Sequence, residues 1–257
     1  MIQFKTAEEI ELLRASNQLV SRALAEVARL IAPGVTTLEL DRVAEEYIRD
    51  NKALPGFMGY KGYPKTLCTS VNQQVVHGIP SGYHLREGDI VSVDCGVLYQ
   101  GYYGDSAYTF AVGEVSVRVK QLLKTTKDSL YKGIEQAREG KRIGDISNAI
   151  QDLCERERFT VVREMVGHGI GKGLHEAPEV PNYGRRGHGV KLQQGMVICI
   201  EPMINMGRRE ITQDPDGWTI HTADRLPSAH FEHCVAIGKN GADVLSTFNY
   251  IEQVYKN

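Results

Sequence analysis

The run Ile90-Val91-Ser92-Val93-Asp94-Cys95-Gly96-Val97, with Ser106 to Val112 after it, decides how this chain folds. Both runs are rich in β-branched and apolar residues and are separated by Tyr99-Gln100-Gly101, which predicts two strands joined by a hairpin. Asp94 lies inside the first strand. Asp105 follows eleven positions later, in Gly104-Asp105-Ser106. A carboxylate in an apolar strand is costly to bury unless a cation or several donors compensate it. Taken alone, Asp94 could be a buried residue capping a neighbouring turn. Two strands joined by a short turn, however, can put both aspartates on one face, where like charges repel strongly unless a metal lies between them.

Working outward, Thr6 with Glu9 forms a capping box, and Ile10, Leu13, Leu19, Ala23, Val27, Leu30 and Ile31 recur near helical spacing. A first helix is predicted to about Leu30, ended by Pro33-Gly34. Thr36 with Glu39 repeats the signal, and Val43, Tyr47 and Ile48 mark the buried side of a second helix before Asn51. Downstream, helical periodicity returns from about Val117 to Ala137 and from Asp145 to about Arg158. Strand-like stretches then surround Val161, Val197 and Val235. The order is helices then strands, given twice. It implies an α+β protein of two halves, about 1–112 and 113–257, packed as a single domain with an active site in the cleft between them. The loop Pro178 to Gly189, with Arg185-Arg186, reads as a solvated rim.

Composition excludes several classes. The 257 residues are 42% hydrophobic, and 30 basic against 32 acidic residues give a formal charge of −2. Nothing in that balance favours a nucleic acid or a membrane surface as the main partner. No run approaches the roughly 18 apolar residues of a membrane span. The start, Met1 to Glu9, enters charged helix-like sequence directly, so a cytoplasmic location is expected. Cys68, Cys95, Cys154, Cys199 and Cys234 are odd in number and widely spaced, which suits reduced thiols, mostly in strands.

Three further residues join the two aspartates. His168 is bracketed by glycines in Gly167-His168-Gly169-Ile170-Gly171, which allows close approach of a backbone or substrate. Glu201 in Ile198-Cys199-Ile200-Glu201-Pro202 and Glu232 between His230-Phe231 and His233-Cys234 are acids in apolar strands. Four carboxylates carry about −4, which two divalent cations balance, with one histidine as the only nitrogen ligand. Such a set is unlike a tetrahedral zinc site and suits two metals roughly 3.5–4 Å apart, sharing a water that loses a proton near neutral pH. His84, His188 and His221 lie in polar, loop-like sequence and are expected to be exposed. His230 and His233 flank Glu232 in one strand, where one of them could support a ligand.

At this point the chain resembles a family. Val75-Val76-His77-Gly78-Ile79-Pro80, Asp94, Gly104-Asp105-Ser106, Gly167 to Gly171, Leu174-His175-Glu176, Ile200-Glu201-Pro202 and Phe231-Glu232-His233 are similar, in order and spacing, to type I methionine aminopeptidases. The resemblance implies a pseudo-twofold pita-bread fold, an antiparallel sheet core with helices on its outer face. It implies Asp94, Asp105, His168, Glu201 and Glu232 as ligands of two divalent ions (Co, Mn, Fe, Zn or Ni), with Asp105 and Glu232 bridging and Glu201 near the shared water. By the same resemblance His77 and His175 are non-ligand catalytic histidines that contact substrate, and Tyr60, Tyr63, Cys68, Leu174 and Trp218 line the methionine pocket and cleft. Phe57 and Leu174 stand where the best-known bacterial members carry cysteine and phenylalanine, a change expected to tune preference.

The activity so implied is hydrolytic removal of the initiator methionine from nascent polypeptides with a small second residue, by a short bacterial form acting as a monomer. Arg185-Arg186 could meet ribosomal RNA. Two alternatives stay open: another pita-bread peptidase such as an Xaa-Pro peptidase, and a non-catalytic binding protein of the same fold. Xaa-Pro peptidases normally carry a long extra amino-terminal domain, whereas only about 70 residues precede Val75 here. Type II methionine aminopeptidases carry a large insertion before the last glutamate, and the 31 positions from Glu201 to Glu232 leave no room for it.

Overall fold

The computed structural model describes residues 1–256. Helices α1 (Ala7–Ala28) and α2 (Thr37–Asp50) come first, then strands β1 (Leu54–Pro55), β2 (Leu67–Val71), β3 (Gln74–Val76), β4 (Ile90–Tyr99) and β5 (Tyr102–Ala111). Helices α3 (Val117–Ile134) and α4 (Ile143–Arg156) open the second series. Its strands are β6 (Thr160–Val161), β7 (Gly167–Gly169), β8 (Glu176–Val180), β9 (Val197–Ile200), β10 (Met203–Asn205), β11 (Ile211–Gln213), β12 (Ile220–Thr222), β13 (Ser228–His230), β14 (His233–Ile237) and β15 (Ala242–Val244), followed by helix α5 (Asn249–Val254).

Both predicted capping boxes form: the Thr6 and Thr36 hydroxyls accept from the Glu9 and Glu39 amides, and each glutamate returns to the threonine amide. The helix ends differ slightly from the periodic pattern. Leu30 and Ala137 each donate to the carbonyl three residues back, so their turns have tightened out of the α-helix. Helix α4 starts ahead of Asp145 because that carboxylate accepts the Arg142 amide at 2.9 Å and stabilises the first turn from inside.

The hairpin is longer than predicted. Pairing of β4 with β5 continues to Tyr99 opposite Tyr102, and the two-residue turn has Gln100 and Gly101 at φ 51° and 82°. Two positive-φ residues give a turn whose twist matches that of the strands. In this register Asp94 faces Ala107 and Asp105 faces Gly96, so the two acids are diagonal neighbours on one face.

Strand β4 pairs along one edge with β1 and β2 and along the other with β5. The second series builds a five-stranded antiparallel sheet in the order β15-β14-β9-β7-β8, and two three-stranded sheets complete the layer. The strand expected to carry His230 through His233 is broken: β13 ends at His230, β14 begins at His233, and Phe231-Glu232 cross between sheets. That crossing is pinned to β5. The Glu232 amide donates to the Ala107 carbonyl at 2.9 Å, and the Ser106 hydroxyl donates to the Glu232 carbonyl at 2.7 Å.

Helix α1 covers the outer side of β5. A Cβ on Gly104 would lie 2.6 Å from the Asn17 backbone nitrogen, so glycine there lets the helix seat against the strand that carries Asp105. One continuous core joins Leu24, Leu40, Val93, Phe110, Ile146, Ile198 and Phe231. All five cysteines are free and buried, with Cys154 on α4 and the others on strands. Among the described residues no helix is long and apolar enough to cross a membrane.

Candidate metal centre

Asp94 comes from the middle of β4, Asp105 from β5, His168 from the centre of β7, Glu201 from just past the end of β9, and Glu232 from the sheet crossing. All five line one cavity of about 180 Å³. Pro202 suits its place, because β9 has already ended and no ladder hydrogen bond is lost. The His168 Nε2 lies 3.7 Å from Asp105 Oδ2 and 3.6 Å from Glu201 Oε1. Its Nδ1 is 2.9 Å from the Gly169 carbonyl, which can only accept, so the ring proton sits there and Nε2 presents a lone pair to the acids.

The electrostatics are unresolved by protein alone. Burial pushes the Asp105, Glu201 and Glu232 carboxyls well above the usual range, and neighbouring carboxylates add to the effect. Burial also lifts Asp94 to about 6, although the nearby His230 and Asp105 work the other way. Among the described residues no lysine or arginine pairs with any of the four. Asp94 Oδ1, Asp105 Oδ1 and Glu232 Oε1 are buried without a hydrogen-bond partner. Orphaned carboxylate-type oxygens grouped with a bare imidazole nitrogen fit hard divalent cations.

Cys199 was missed in the sequence. Its sulfur groups with donor atoms of Asp105, His168 and Glu232, all within 4.8 Å of one another. Burial holds its thiol strongly protonated, so we read it as support behind Glu232 and not as a ligand. His230 supports from the other side: it is buried, its Nε2 has no hydrogen-bond partner, and it lies 3.7 Å from Glu201 Oε2. His233 turns away, with Nδ1 2.7 Å from the Ser246 hydroxyl and its ring stacked on Phe248.

The same cavity is lined by the largely apolar Phe57, Tyr60, Tyr63, Cys68, Leu174 and Trp218, together with His77, His175 and Lys61. Phe57 fills space left by a missing side chain, since a Cβ on Gly96 would lie 2.4 Å from its ring. Trp218 packs edge-on to Tyr63, with ring centres 5.0 Å apart. His77 follows β3 in a left-handed conformation, φ 60°, and burial lowers its pKa to about 4. The His175 Nδ1 is 2.9 Å from the Tyr60 hydroxyl, and its ring centre is 4.2 Å from that of His168. His175 is the most open of the three, and desolvation with the adjacent His168 lowers its pKa.

Of the histidines expected to be exposed, His84 and His188 are. His221 is not. It is 5% exposed on β12, with Nε2 2.7 Å from Asp214 Oδ2 across the hairpin that carries Trp218, a hydrogen-bond partner seven residues away that loop-like composition concealed.

A methionine aminopeptidase from Clostridium perfringens is 49% identical to this chain over 96% of it and 99% of the relative's length. The model of metallopeptidase family M24 matches residues 11–239. The chain belongs to family M24, among its methionine aminopeptidases. In structure it superposes on the crystal structure of the family's Thermotoga maritima member with a TM-score of 0.95 at 44% identity, covering 96% of this chain and 100% of that one. A prolidase from Pyrococcus furiosus, at 23% identity and a TM-score of 0.74, shares the fold. The pita-bread architecture and the use of divalent metal by this methionine aminopeptidase family member follow from these matches.

Proposed function

We propose that this metallo-aminopeptidase removes the initiator methionine from nascent polypeptides whose second residue is small, with two divalent ions held by Asp94, Asp105, His168, Glu201 and Glu232. The observation that carries it is the continuity of one small cavity from unpaired acids to an apolar wall. At about 180 Å³ it is smaller than the roughly 300–1,000 Å³ of sites that enclose larger ligands, so it admits one side chain and not a peptide. Two ions follow from charge, since four carboxylates need about +4. Bound ions would supply Lewis acidity and a water acidified toward neutral pH.

The chain's own residues do the rest. Tyr63, Cys68, Leu174, Phe57 and Trp218 receive the methionine side chain and exclude water around it. Tyr60 donates its hydroxyl proton to His175 Nδ1, which leaves Nε2–H to donate toward the scissile carbonyl as negative charge develops there. His77, which lines the same cavity, is a second donor toward that carbonyl. Glu201 accepts the proton of the attacking water and returns it to the departing amine. Its carboxyl is suited to that task because burial raises its proton affinity.

We further read the chain as one domain of two halves, 1–112 and 113–257, acting as a monomer in the cytoplasm, where nascent chains emerge and buried free thiols stay reduced. The exposed Arg185 and Arg186 lie outside the cavity and offer a basic patch to ribosomal RNA. A metal-supplemented assay of Met-Ala-Ser beside an Xaa-Pro peptide tests the reading. Methionine release from the first alone supports it, and cleavage of the second in preference overturns it.

A further inference from the structure

Lys5 is 8% exposed, an unusual position for a lysine five residues from the start of the sequence. Its Nζ lies 2.5 Å from Glu176 Oε2, and the two side chains are only 5% and 10% exposed. The other Glu176 oxygen, Oε1, accepts the Gly173 amide at 2.9 Å. One oxygen therefore holds the turn and the other ties it to the segment before α1. Gly171 is packed against the same pair: a Cβ there would lie 2.6 Å from Glu176 Oε1 and 2.8 Å from Lys5 Nζ. The Lys5 backbone is fixed independently, its amide donating to the Gly195 carbonyl at 2.7 Å, and the chain then enters α1 through the Thr6 cap.

Glu176 directly follows Leu174-His175, the two residues of this turn that line the cavity. The segment from Gly167 to Glu176 contains four glycines, so few of its own side chains can anchor it. We infer that Lys5 is a positioning residue for His175: its ammonium fixes the Glu176 carboxylate, which fixes the 171–176 turn and so the reach of the imidazole into the cleft. The inference rests on the proposed role of His175 as a donor to the scissile carbonyl. It makes the amino-terminal strap part of the catalytic apparatus, through an ion pair 171 residues apart in sequence.

The test measures kcat for Met-Ala-Ser with metal-loaded K5M and E176Q, each made alone and in an H175A background, with metal content determined on every sample. Displacing a reacting group by about 1 Å costs on the order of 10²-fold, so K5M and E176Q should each lower kcat about 10- to 100-fold with metals retained. In the H175A background each should add less than about threefold, because the imidazole they position is gone. A purely structural role would give the same loss in both backgrounds, and that result overturns the inference. So does a kcat for K5M within about twofold of wild type. If K5M fails to fold, the E176Q pair decides by the same criterion. Should H175A alone keep wild-type kcat, the role of His175 has failed, which is distinguishable from a failure of Lys5 to act through it.

Discussion

Chelation of the divalent ions should make stability fall as pH rises above about 6.5. In the metal-free chain Asp94, Asp105, Glu201 and Glu232 all have raised pKa values, so between the ordinary carboxylate range and those raised values the folded state binds more protons than the unfolded one. Their stabilisation is complete below the unfolded pKa and is lost as pH rises through the folded one. For Asp94, moved from 3.8 to about 6, the loss is about 3 kcal/mol at about 1.4 kcal/mol per unit and is complete near pH 6. The other three are displaced upward more strongly and extend the loss to higher pH.

The buried histidines oppose this. Burial lowers His77 and His168 to about 4 and His233 to about 3, so their contribution is present above about pH 6.5 and lost as pH falls. The two slopes offset each other below pH 6.5, and only the carboxylate slope remains above it. Urea denaturation from pH 5 to 9 should therefore show the chelated protein weakening above about pH 6.5 while the protein at fixed free Mn²⁺ holds level, the gap widening with pH. Parallel profiles, or a gap that narrows as pH rises, would refute the assignment of these acids to a cation site.

Asp105→Asn and Glu232→Gln should each lower metal content as well as rate, and elemental analysis that still finds two ions per chain would remove them as bridges. His175→Ala should lose about 10²–10³-fold in kcat with both metals and the fold retained, as expected for one donor to a developing oxyanion. His77 holds φ 60°, so His77→Gly should be about 1 kcal/mol more stable than His77→Ala while both are impaired, and equal melting temperatures would show that no strain is stored there. Trp218→Ala should raise KM for short peptides with little change in melting temperature, because the ring stands on a hairpin over the cleft, and a collapse of the fold would assign it to the core instead.

Local signals in the sequence determined the local structure. Thr6 with Glu9 and Thr36 with Glu39 start helices because a hydroxyl and a carboxylate three residues apart satisfy each other's amides whatever surrounds them. The alternation around Asp94 and the turn at Gln100-Gly101 fixed the hairpin, and hence the face shared by Asp94 and Asp105, because strand register follows from a period of two and a two-residue turn. The discomfort of acids in apolar runs was also legible, since burial cost depends on composition close by. What the sequence left open was decided by segments far apart meeting in space. The break at Phe231-Glu232 exists because that crossing is pinned to β5, more than a hundred residues earlier. His221 looked exposed until the β11–β12 hairpin brought Asp214 to it, and Cys199 entered the site because β9 and β14 pair side by side. Nothing in the sequence distinguished Lys5. Only the packed fold, which buries its ammonium against Glu176 where water no longer screens the pair, joins it to the cleft.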